Sequence, residues 1–234
     1  MPFTLDQILP WGRSFDEYVA MFHLTPEELE KRILGCGDGP ASFNAVMRKH
    51  GKTVVSVDPL YSFSAEQIRE RIDVAFSTIL EQLVANQASY VWTSITSPEH
   101  LVRVRTEAME VFLEDYERGT TEGRYLPHEL PGLPFHDREF DLCLCSHLLF
   151  TYSEQLSADF HEKAILEMCR AAKEVRIFPL LDMSGKLSPH LRPVCECLRR
   201  HGYVRDIVRV DYEFQRGGDR MLRLCIGGGR RQHP

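Results

Sequence analysis

The sequence predicts an α/β protein in which helices cover both faces of one doubly wound, largely parallel sheet. The first supporting observation is that strand-like runs alternate with helical stretches along most of the 234 residues. The second is that residues 53–57 form a nearly continuous β-branched, apolar run, which is typical of a strand buried on both faces. The third is the length, which suits one domain over residues 1–234, with an insertion, better than two domains.

Three segments match the capping box, a motif that marks the start of a helix. The first two predict short helices within residues 1–30, ahead of the first strand. The third begins a helical region over residues 64–118, in which Ser97-Pro98 marks a second start. Two helices are more than one crossover needs, so one of them is predicted to be an insertion over the sheet edge or the mouth of a site. The three boxes are Ser14-x-x-Glu17, Thr25-x-x-Glu28 and Ser64-x-x-Gln67.

The last part of the chain has a different pattern. Residues 203–214 and 221–226 are strand-like and are separated by Gly217-Gly218-Asp219, which predicts a β-hairpin and hence an antiparallel pair at one end of the sheet. Residues 227–234 are predicted to be a loose tail. The other strands are predicted at residues 32–34, 124–126, 140–145 and 175–181, and the other helices near 42–50, 157–172 and 190–201.

Charge and composition exclude several classes of protein. The formal net charge of −6 argues against a protein that binds nucleic acid by neutralising its phosphates. No apolar run approaches the roughly 18 residues of a membrane span, and the first residues lack the pattern of a secretory signal. We therefore expect a soluble, cytoplasmic protein with no nucleic-acid or membrane partner. The sequence makes no prediction of the oligomeric state.

The seven cysteines are odd in number and form no C-x-x-C pair. Cys143 and Cys145 alternate within an apolar run, and Cys195 and Cys197 do the same further along. This pattern favours reduced, buried thiols over metal ligands. We predict no metal site.

A glycine-rich loop at residues 33–40 carries the strongest local signal of a ligand site. Three glycines alternate between a predicted strand and a predicted helix, where a ligand can approach the backbone closely. A tight turn without a ligand is the alternative. Asp58 ends the next strand, 19 positions after the last of these glycines, where a carboxylate can accept both hydroxyls of a ribose or cap a turn before Pro59. The candidate cofactor-binding residues of the loop are Gly35, Cys36, Gly37, Asp38 and Gly39.

The loop fits the dinucleotide fingerprint G-x-G-x-x-G/A poorly. Counted from Gly35 the last position is Pro40, and counted from Gly37 it is Ser42. Proline also removes one backbone N–H from the helix start, where a pyrophosphate would bind. A nucleoside cofactor without a pyrophosphate is therefore favoured over NAD.

The segment Ile-Leu-Gly-Cys-Gly-Asp-Gly resembles motif I of the class I S-adenosylmethionine-dependent methyltransferases, and the segment ending at Asp58 resembles their ribose-binding motif. Residues 133–142 are similar to the lead into the family's fourth strand, where an acid six residues before Phe135 meets the adenine amino group. That residue is Glu129, with Leu130 beside it. The resemblance covers residues 30–226 and implies a Rossmann-like, seven-stranded sheet with a reversed terminal strand, and S-adenosylmethionine as cofactor.

The chain departs from the family at the residue that binds the methionyl ammonium. Members commonly have Asp or Glu two positions before the first glycine, and this sequence has Ile33. Asp38 or a backbone carbonyl is the expected substitute. Upstream, Arg13 is a candidate to pair with the carboxylate of the cofactor, and Tyr18 to close the pocket. The alternative is an amphipathic helix that packs on the sheet with Phe15 and its apolar neighbours.

His147 follows the fourth predicted sheet strand of the parallel series, at the edge where open α/β sheets bind their ligands. It is the candidate general base, and an ordinary strand-end histidine is the alternative. The family's members that methylate bases and amide nitrogens carry Asn or Asp, then Pro-Pro and an aromatic residue, at this point. Because this chain lacks that motif, DNA adenine and protein glutamine are poor candidate acceptors.

We expect methyl transfer by direct displacement to a small or medium-sized molecule, for which catalytic residues are few. The alternative is a module that binds S-adenosylmethionine or S-adenosylhomocysteine without turnover, and a third hypothesis is a nicotinamide oxidoreductase. If residues 64–118 leave an apolar chamber open beside the cofactor, the methyltransferase is favoured. If these residues fill the chamber, the non-catalytic binding module is favoured. Tyr90 and Trp92, between the two helices of that segment, either line the acceptor pocket or belong to the core.

Overall fold

The computed structural model describes residues 10–226, apart from the side chains of residues 77 and 78. The predicted tail at residues 227–234 lies outside this range. The strands are β1 (Ile33–Cys36), β2 (Val54–Val57), β3 (Tyr125–Leu126), β4 (Phe140–Ser146), β5 (Ala172–Phe178), β6 (Tyr203–Arg209) and β7 (Arg220–Ile226). The α-helices are α1 (Phe15–Phe22), α2 (Phe43–Lys49), α3 (Ala65–Ala85), α4 (Pro98–Thr121), α5 (Ala158–Ala171) and α6 (Leu191–Arg200). Short 3₁₀ helices lie at Glu28–Glu30, Pro59–Ser62, Gln87–Ser89 and Phe150–Tyr152.

Within the described residues the strands form one seven-stranded sheet in the order β3-β2-β1-β4-β5-β7-β6. β1 is central, and its Ile33 lies opposite Val54 of β2 and Leu142 of β4 in parallel pairs. β7 is antiparallel to both β5 and β6. The predicted fold class, with its reversed terminal strand, is therefore confirmed.

The core lies in two layers, because successive side chains of a strand point to opposite faces of the sheet. In β1, Leu34 joins a buried cluster with α5 and α6, whereas its neighbour Ile33 joins the opposite cluster with α1 and α2. Helices thus cover both faces, as the doubly wound arrangement requires. The cysteines are buried as predicted, except for Cys225, which is partly buried.

Between residue 10 and β1, the structure has one α-helix and one shorter turn. Ser14 and Glu17 form both bonds of the predicted capping box at α1. Thr25 and Glu28 also form both bonds, but only a 3₁₀ turn over Glu28–Glu30 follows. The second predicted helix is this short because Lys31 is already extended, two residues before β1 begins.

α3 and α4 both lie between β2 and β3 in the chain. α4 contacts β3 and α2, and α3 contacts α4. Ile68 and Ile72 of α3 pack with Phe112 of α4 in an apolar cluster that also contains Tyr125 of β3. α4 is therefore positioned as the crossover helix, and α3 is the helix that the crossover does not require.

Two predicted strand boundaries differ from the structure. β5 begins at Ala172 and ends at Phe178, before Pro179, because proline has no N–H to continue the ladder. β6 ends at Arg209 rather than at residue 214, because the chain then turns inward and buries Val210 and Tyr212 in the α1–α2 cluster. The hairpin connection over residues 210–219 is consequently longer than predicted. None of the helices within residues 10–226 is long and apolar enough to cross a membrane.

Candidate functional site

A cavity of about 930 Å³ opens at the carboxyl ends of β1, β2 and β4. The loop after β1, Asp58 after β2 and His147 after β4 line it from the sheet side, and residues of α3 and α4 line it from above. Open α/β sheets bind ligands at this edge, beside the central strand where the connections change direction. The volume is at the upper end of the roughly 300–1,000 Å³ of small-molecule sites.

The glycines of the loop differ in how much space surrounds them. Gly37 and Gly39 have φ values of 68° and 53°, a region that favours glycine. A Cβ atom at Gly37 would overlap the Leu148 side chain, whereas at Gly39 the nearest atom would be Asp58 Oδ2, at 4.0 Å. Gly39 therefore leaves open space at the cavity, and the space beside Gly37 is already filled by protein.

Gly35 and Cys36 do not line the cavity. The carboxylate of Asp38 lies over Gly35, where any Cβ atom would overlap it. The Cys36 Sγ lies 3.6 Å from the Cys143 Sγ in the core beneath the loop. The sequence-based assignment of these two residues to cofactor contacts finds no support in this arrangement, because Asp38 and the core occupy the space next to them.

Asp38 presents a buried carboxylate to the cavity, with a fractional exposure of 8%. Its Oδ1 accepts a hydrogen bond of 2.8 Å from the Tyr18 hydroxyl, and its Oδ2 accepts one of 2.6 Å from Ser56 Oγ. Burial raises the pKa of Asp38 to about 6, although these two hydrogen bonds oppose the shift. Tyr18 lines the cavity as well, and it orients Asp38 there.

Asp58 both caps a turn and lines the cavity. Its Oδ1 accepts from the backbone N–H of Leu60 and its Oδ2 from that of Gly39, each at 2.8 Å. Burial raises its pKa above the usual value. A carboxylate has about four lone-pair sites, so these two bonds leave capacity for ligand hydroxyls. The two sequence-based hypotheses for Asp58 are thus compatible with each other.

Arg13 lines the cavity with an incompletely bonded guanidinium. Its Nη1 donates to the Trp11 carbonyl at 2.7 Å, while its Nε is buried without a hydrogen-bond partner. Burial, together with the nearby charge of Arg105, lowers its pKa to about 10, so it stays charged at neutral pH. The same segment leads into α1, whose Tyr18 and Phe22 pack in the core, so this helix packs on the sheet while Arg13 faces the cavity.

Sequence reasoning missed a buried cluster around Glu17. Glu17 of α1 forms an ion pair with Arg105 of α4, and its Oε1 accepts a hydrogen bond of 2.7 Å from the Tyr212 hydroxyl. Arg105 and Tyr212 line the cavity. The available signal was the position of Arg105 on the apolar face of its helix, four residues after Leu101, where a charge needs a partner.

His147 has a φ of 51°, which is unusual for a residue other than glycine. Its backbone N–H donates to the Phe178 carbonyl at 2.7 Å, and its Nδ1 lies 2.9 Å from Ser146 Oγ. Burial, and then the charges of Arg13 and Arg105, lower its pKa well below the usual value. A neutral imidazole therefore lines the cavity at the end of β4.

The remaining candidates lie at the two ends of the cavity wall. His128, Glu129 and Leu130 line one part of it, with Glu129 exposed and Leu130 packed in the core. Tyr90 lines the wall elsewhere and stacks on Phe214, with ring centroids 4.7 Å apart.

Trp92 does not line the cavity and packs edge-on against Phe214 instead. The β6–β7 connection also brings Tyr212, Phe214 and Gln215 to the wall, which sequence reasoning missed because these residues were predicted as strand or turn. Within residues 10–226, no group of three or more His, Cys, Asp or Glu side chains is placed to hold a metal ion.

No protein-family model matches the chain. An uncharacterized protein of Methanocaldococcus jannaschii is 32% identical over 212 residues, which are 90% of this chain and 93% of that protein. Magnesium protoporphyrin IX methyltransferase from Synechocystis, solved with bound S-adenosylmethionine, gives a TM-score of 0.48 at 11% identity and covers 91% of this chain and 78% of that one. An S-adenosylmethionine-dependent methyltransferase from Aquifex aeolicus gives a TM-score of 0.40 at 14% identity, covering 89% and 90%.

The sequence relative identifies the family, and the strand order with its reversed β7 identifies the fold. The resemblance of the glycine loop and Asp58 to methyltransferase motifs implied a seven-stranded sheet with a reversed terminal strand, which the structure has. The chain belongs to the same family as the Methanocaldococcus jannaschii protein and has the fold of the class I S-adenosylmethionine-dependent methyltransferases.

Proposed function

We propose that the protein transfers the methyl group of S-adenosylmethionine to a small or medium-sized molecule bound in the same cavity. The observation that carries the proposal is that the cavity extends from Asp58 and Gly39 to a chamber beneath α3 and α4. Leu83 of α3 and Leu101 of α4 line this chamber without filling it. An open chamber favours an enzyme over a module that only binds the cofactor.

The residues at the carboxyl end of β1 fit the amino-acid part of the cofactor. An α-amino acid carries one positive and one negative group, and this cavity offers the Asp38 carboxylate and the charged Arg13 guanidinium. The unpartnered Nε of Arg13 supports its pairing with the methionyl carboxylate. Asp38 is proposed to bind the ammonium, because Ile33 is buried in the core and cannot.

The nucleoside part fits the neighbouring strand ends. Asp58 is proposed to accept the ribose hydroxyls, beside the open space at Gly39. Glu129 and Leu130 are proposed to hold the adenine, since both line the cavity after β3. This order of groups follows the edge of the sheet from β1 to β3.

The cofactor would supply a methyl group on a positively charged sulfur. The acceptor's nucleophilic atom would bond to the methyl carbon as the C–S bond breaks, with S-adenosylhomocysteine as the leaving group. The chain itself aligns the two molecules and excludes water, through the wall formed by α3, α4 and the β6–β7 connection. His147 is proposed as the group that takes a proton when the acceptor enters protonated. Its depressed pKa leaves the ring unprotonated at neutral pH, so it is free to accept.

The experiment is isothermal titration calorimetry of the full chain with S-adenosylmethionine, S-adenosylhomocysteine and NAD. It is followed by incubation with methyl-labelled S-adenosylmethionine and a cell metabolite extract. We expect the first two ligands to bind, NAD not to bind, and a labelled product to form. Binding without any labelled product would favour the non-catalytic module, and tight binding of NAD would assign a nicotinamide oxidoreductase instead.

A further inference from the structure

Three residues that line the cavity each have a buried polar atom without a hydrogen-bond partner among the described residues. These atoms are the Nε of Arg13, the Nε of Arg105 and the Oγ1 of Thr151. Leaving a buried donor unpaired is costly, and most of all when the group is charged. Their common location in one cavity indicates that a bound molecule supplies the missing partners.

Glu17 is not the hydrogen-bond partner of either arginine Nε. Its Oε2 accepts from Arg105 Nη1 and from the Ser14 backbone, and its Oε1 accepts from Tyr212. Arg105 itself is 1% exposed, so bulk water does not solvate its Nε–H.

The two buried guanidinium groups differ in their acidic neighbours. Glu17 forms an ion pair with Arg105, and the Asp38 carboxylate lines the same cavity as Arg13. Neither acid accepts a hydrogen bond from an arginine Nε, so both Nε–H groups stay unpartnered. A donor of this kind forms its strongest hydrogen bond with an ionised acceptor.

The cofactor brings one carboxylate, which the proposed function assigns to Arg13. One unpartnered guanidinium Nε then remains, that of Arg105. The flat edge of a guanidinium matches a carboxylate, which accepts parallel hydrogen bonds from it. Because the cofactor carboxylate is used at Arg13, the acceptor for this Nε is left to the other substrate.

The residues that line the cavity with Arg105 indicate the chemistry of the rest of the other substrate. Leu101 lies one turn away on the same face of α4, and Tyr90 and Phe214 stack on each other at the cavity wall. Thr151, with its unpartnered hydroxyl, follows β4 in the same cavity. The chamber thus combines apolar walls with the Arg105 guanidinium and the Thr151 hydroxyl.

We infer that the methyl acceptor is a carboxylate-bearing molecule with an apolar body, and that its carboxylate binds to Arg105 and Thr151 rather than to Arg13. This inference rests on the proposed function. Arg105 is then a residue that determines acceptor specificity, and Arg13 one that holds the cofactor.

The test is calorimetry on the full chain, first with S-adenosylhomocysteine and then, on the saturated protein, with matched probes. The probes are carboxylic acids with straight-chain, cyclic and aromatic bodies, their primary amides, and the corresponding phosphonates. We expect at least one carboxylate to bind at least tenfold more tightly than its amide. Arg105→Gln should abolish this preference and change S-adenosylhomocysteine affinity less than twofold, whereas Arg13→Gln should weaken S-adenosylhomocysteine.

Further variants serve as controls for effects of these substitutions on folding. Arg105→Gln leaves Glu17 without its cation, so Glu17→Gln combined with Arg105→Gln removes both charges together and should behave like the single variant. Thr151→Val keeps the ion pair and should weaken carboxylate binding several-fold. Arg103→Gln removes an exposed arginine of α4 that does not line the cavity and should leave the carboxylate preference unchanged.

Each contrary result overturns a different statement. Equal affinity for carboxylates and amides, or tighter binding of phosphonates, would overturn the acceptor class. An equal loss of S-adenosylhomocysteine affinity in Arg105→Gln and Arg13→Gln would assign both arginines to the cofactor. Failure of S-adenosylhomocysteine to bind the unaltered protein would overturn the proposed function, and this inference with it.

Discussion

The Glu17 carboxylate and the Arg105 guanidinium form a buried ion pair between residues 88 positions apart in the sequence. Glu17 belongs to α1 and Arg105 to α4, and the Tyr212 hydroxyl adds the β6–β7 connection to the same carboxylate. One side chain therefore fixes three separate segments of the cavity wall relative to one another.

Replacing Glu17 by Gln should destabilise the protein by about 3–5 kcal/mol at pH 7, because Arg105 is left as a buried charge without its partner. Burial alone would raise the pKa of Glu17, but Arg105 holds it at about 2, below the usual 4.5. Its stabilising effect is therefore present above pH 4.5 and is lost as the pH falls from 4.5 to 2. Glu28 and Glu122 have similarly lowered pKa values, so stability should still fall with pH in Glu17→Gln, but less steeply than in the unaltered protein. Thermal denaturation over this window measures the two slopes, with exposed Glu30→Gln as control.

Asp38→Asn should have opposite effects on stability and on binding. Burial raises the Asp38 pKa from 3.8 to about 6, so the folded state binds the proton more tightly than the unfolded chain. The charged form then destabilises the fold above pH 6, by up to about 3 kcal/mol. We expect Asp38→Asn to be as stable as the unaltered protein or more so at pH 7.5, while S-adenosylmethionine affinity falls at least tenfold. Unchanged affinity in calorimetry would remove Asp38 from the ammonium site.

The fold was predictable from sequence because its signals are local. Runs of β-branched apolar residues indicate strands, and capping residues indicate where helices begin. Ser14 and Ser64 both cap the helices that were predicted to begin after them. Asp58 was predictable for the same reason, since its place at the end of β2 follows from counting along the chain. Local spacing also gave the glycine loop, though not which of its glycines face the cavity.

The rest of the site depends on contacts between distant segments, which local patterns do not contain. The capping box is by itself a sufficient reason for a glutamate at position 17. The sequence therefore offered no sign that this carboxylate also pairs with Arg105. The aromatic residues of the β6–β7 connection look like strand residues, yet the chain turns inward after Arg209. Their approach to Tyr90 follows from the packing of the whole molecule.

Gly37→Ala should reduce stability through two separable effects. The φ of 68° costs alanine about 1–2 kcal/mol, and the overlap with Leu148 adds roughly 1–3 kcal/mol. Leu148→Ala in the same chain should relieve only the second effect. Gly39→Ala, with a φ of 53° and open space at its Cβ position, should show only the first. Equal losses of stability for both glycine variants in urea denaturation would contradict this division.

Asp58→Ala should weaken S-adenosylmethionine by roughly ten- to a hundredfold, since each charge-assisted hydrogen bond contributes about 1.5–3 kcal/mol. The variant also loses the bonds to Leu60 and Gly39, so its unfolding curve has to be measured beside the calorimetry. Asp159→Ala removes an exposed aspartate from α5 and serves as the control. Equal affinity of the Asp58 variant and this control would exclude Asp58 from the ribose site.

Tyr90 and Trp92 should separate acceptor binding from stability, because both contact Phe214 but only Tyr90 lines the cavity. Tyr90→Ala removes a wall of the chamber, so we expect turnover of an identified acceptor to fall at least tenfold while S-adenosylmethionine affinity changes less than threefold. Trp92→Ala should lower stability with little selective effect on turnover, since its ring packs outside the cavity. Both variants lose an aromatic contact with Phe214 and the contact between Tyr90 and Trp92, so a common decrease in melting temperature reports on the packing of these three rings. If Tyr90→Ala lowers cofactor affinity and turnover equally, its ring belongs to the scaffold rather than to the acceptor site.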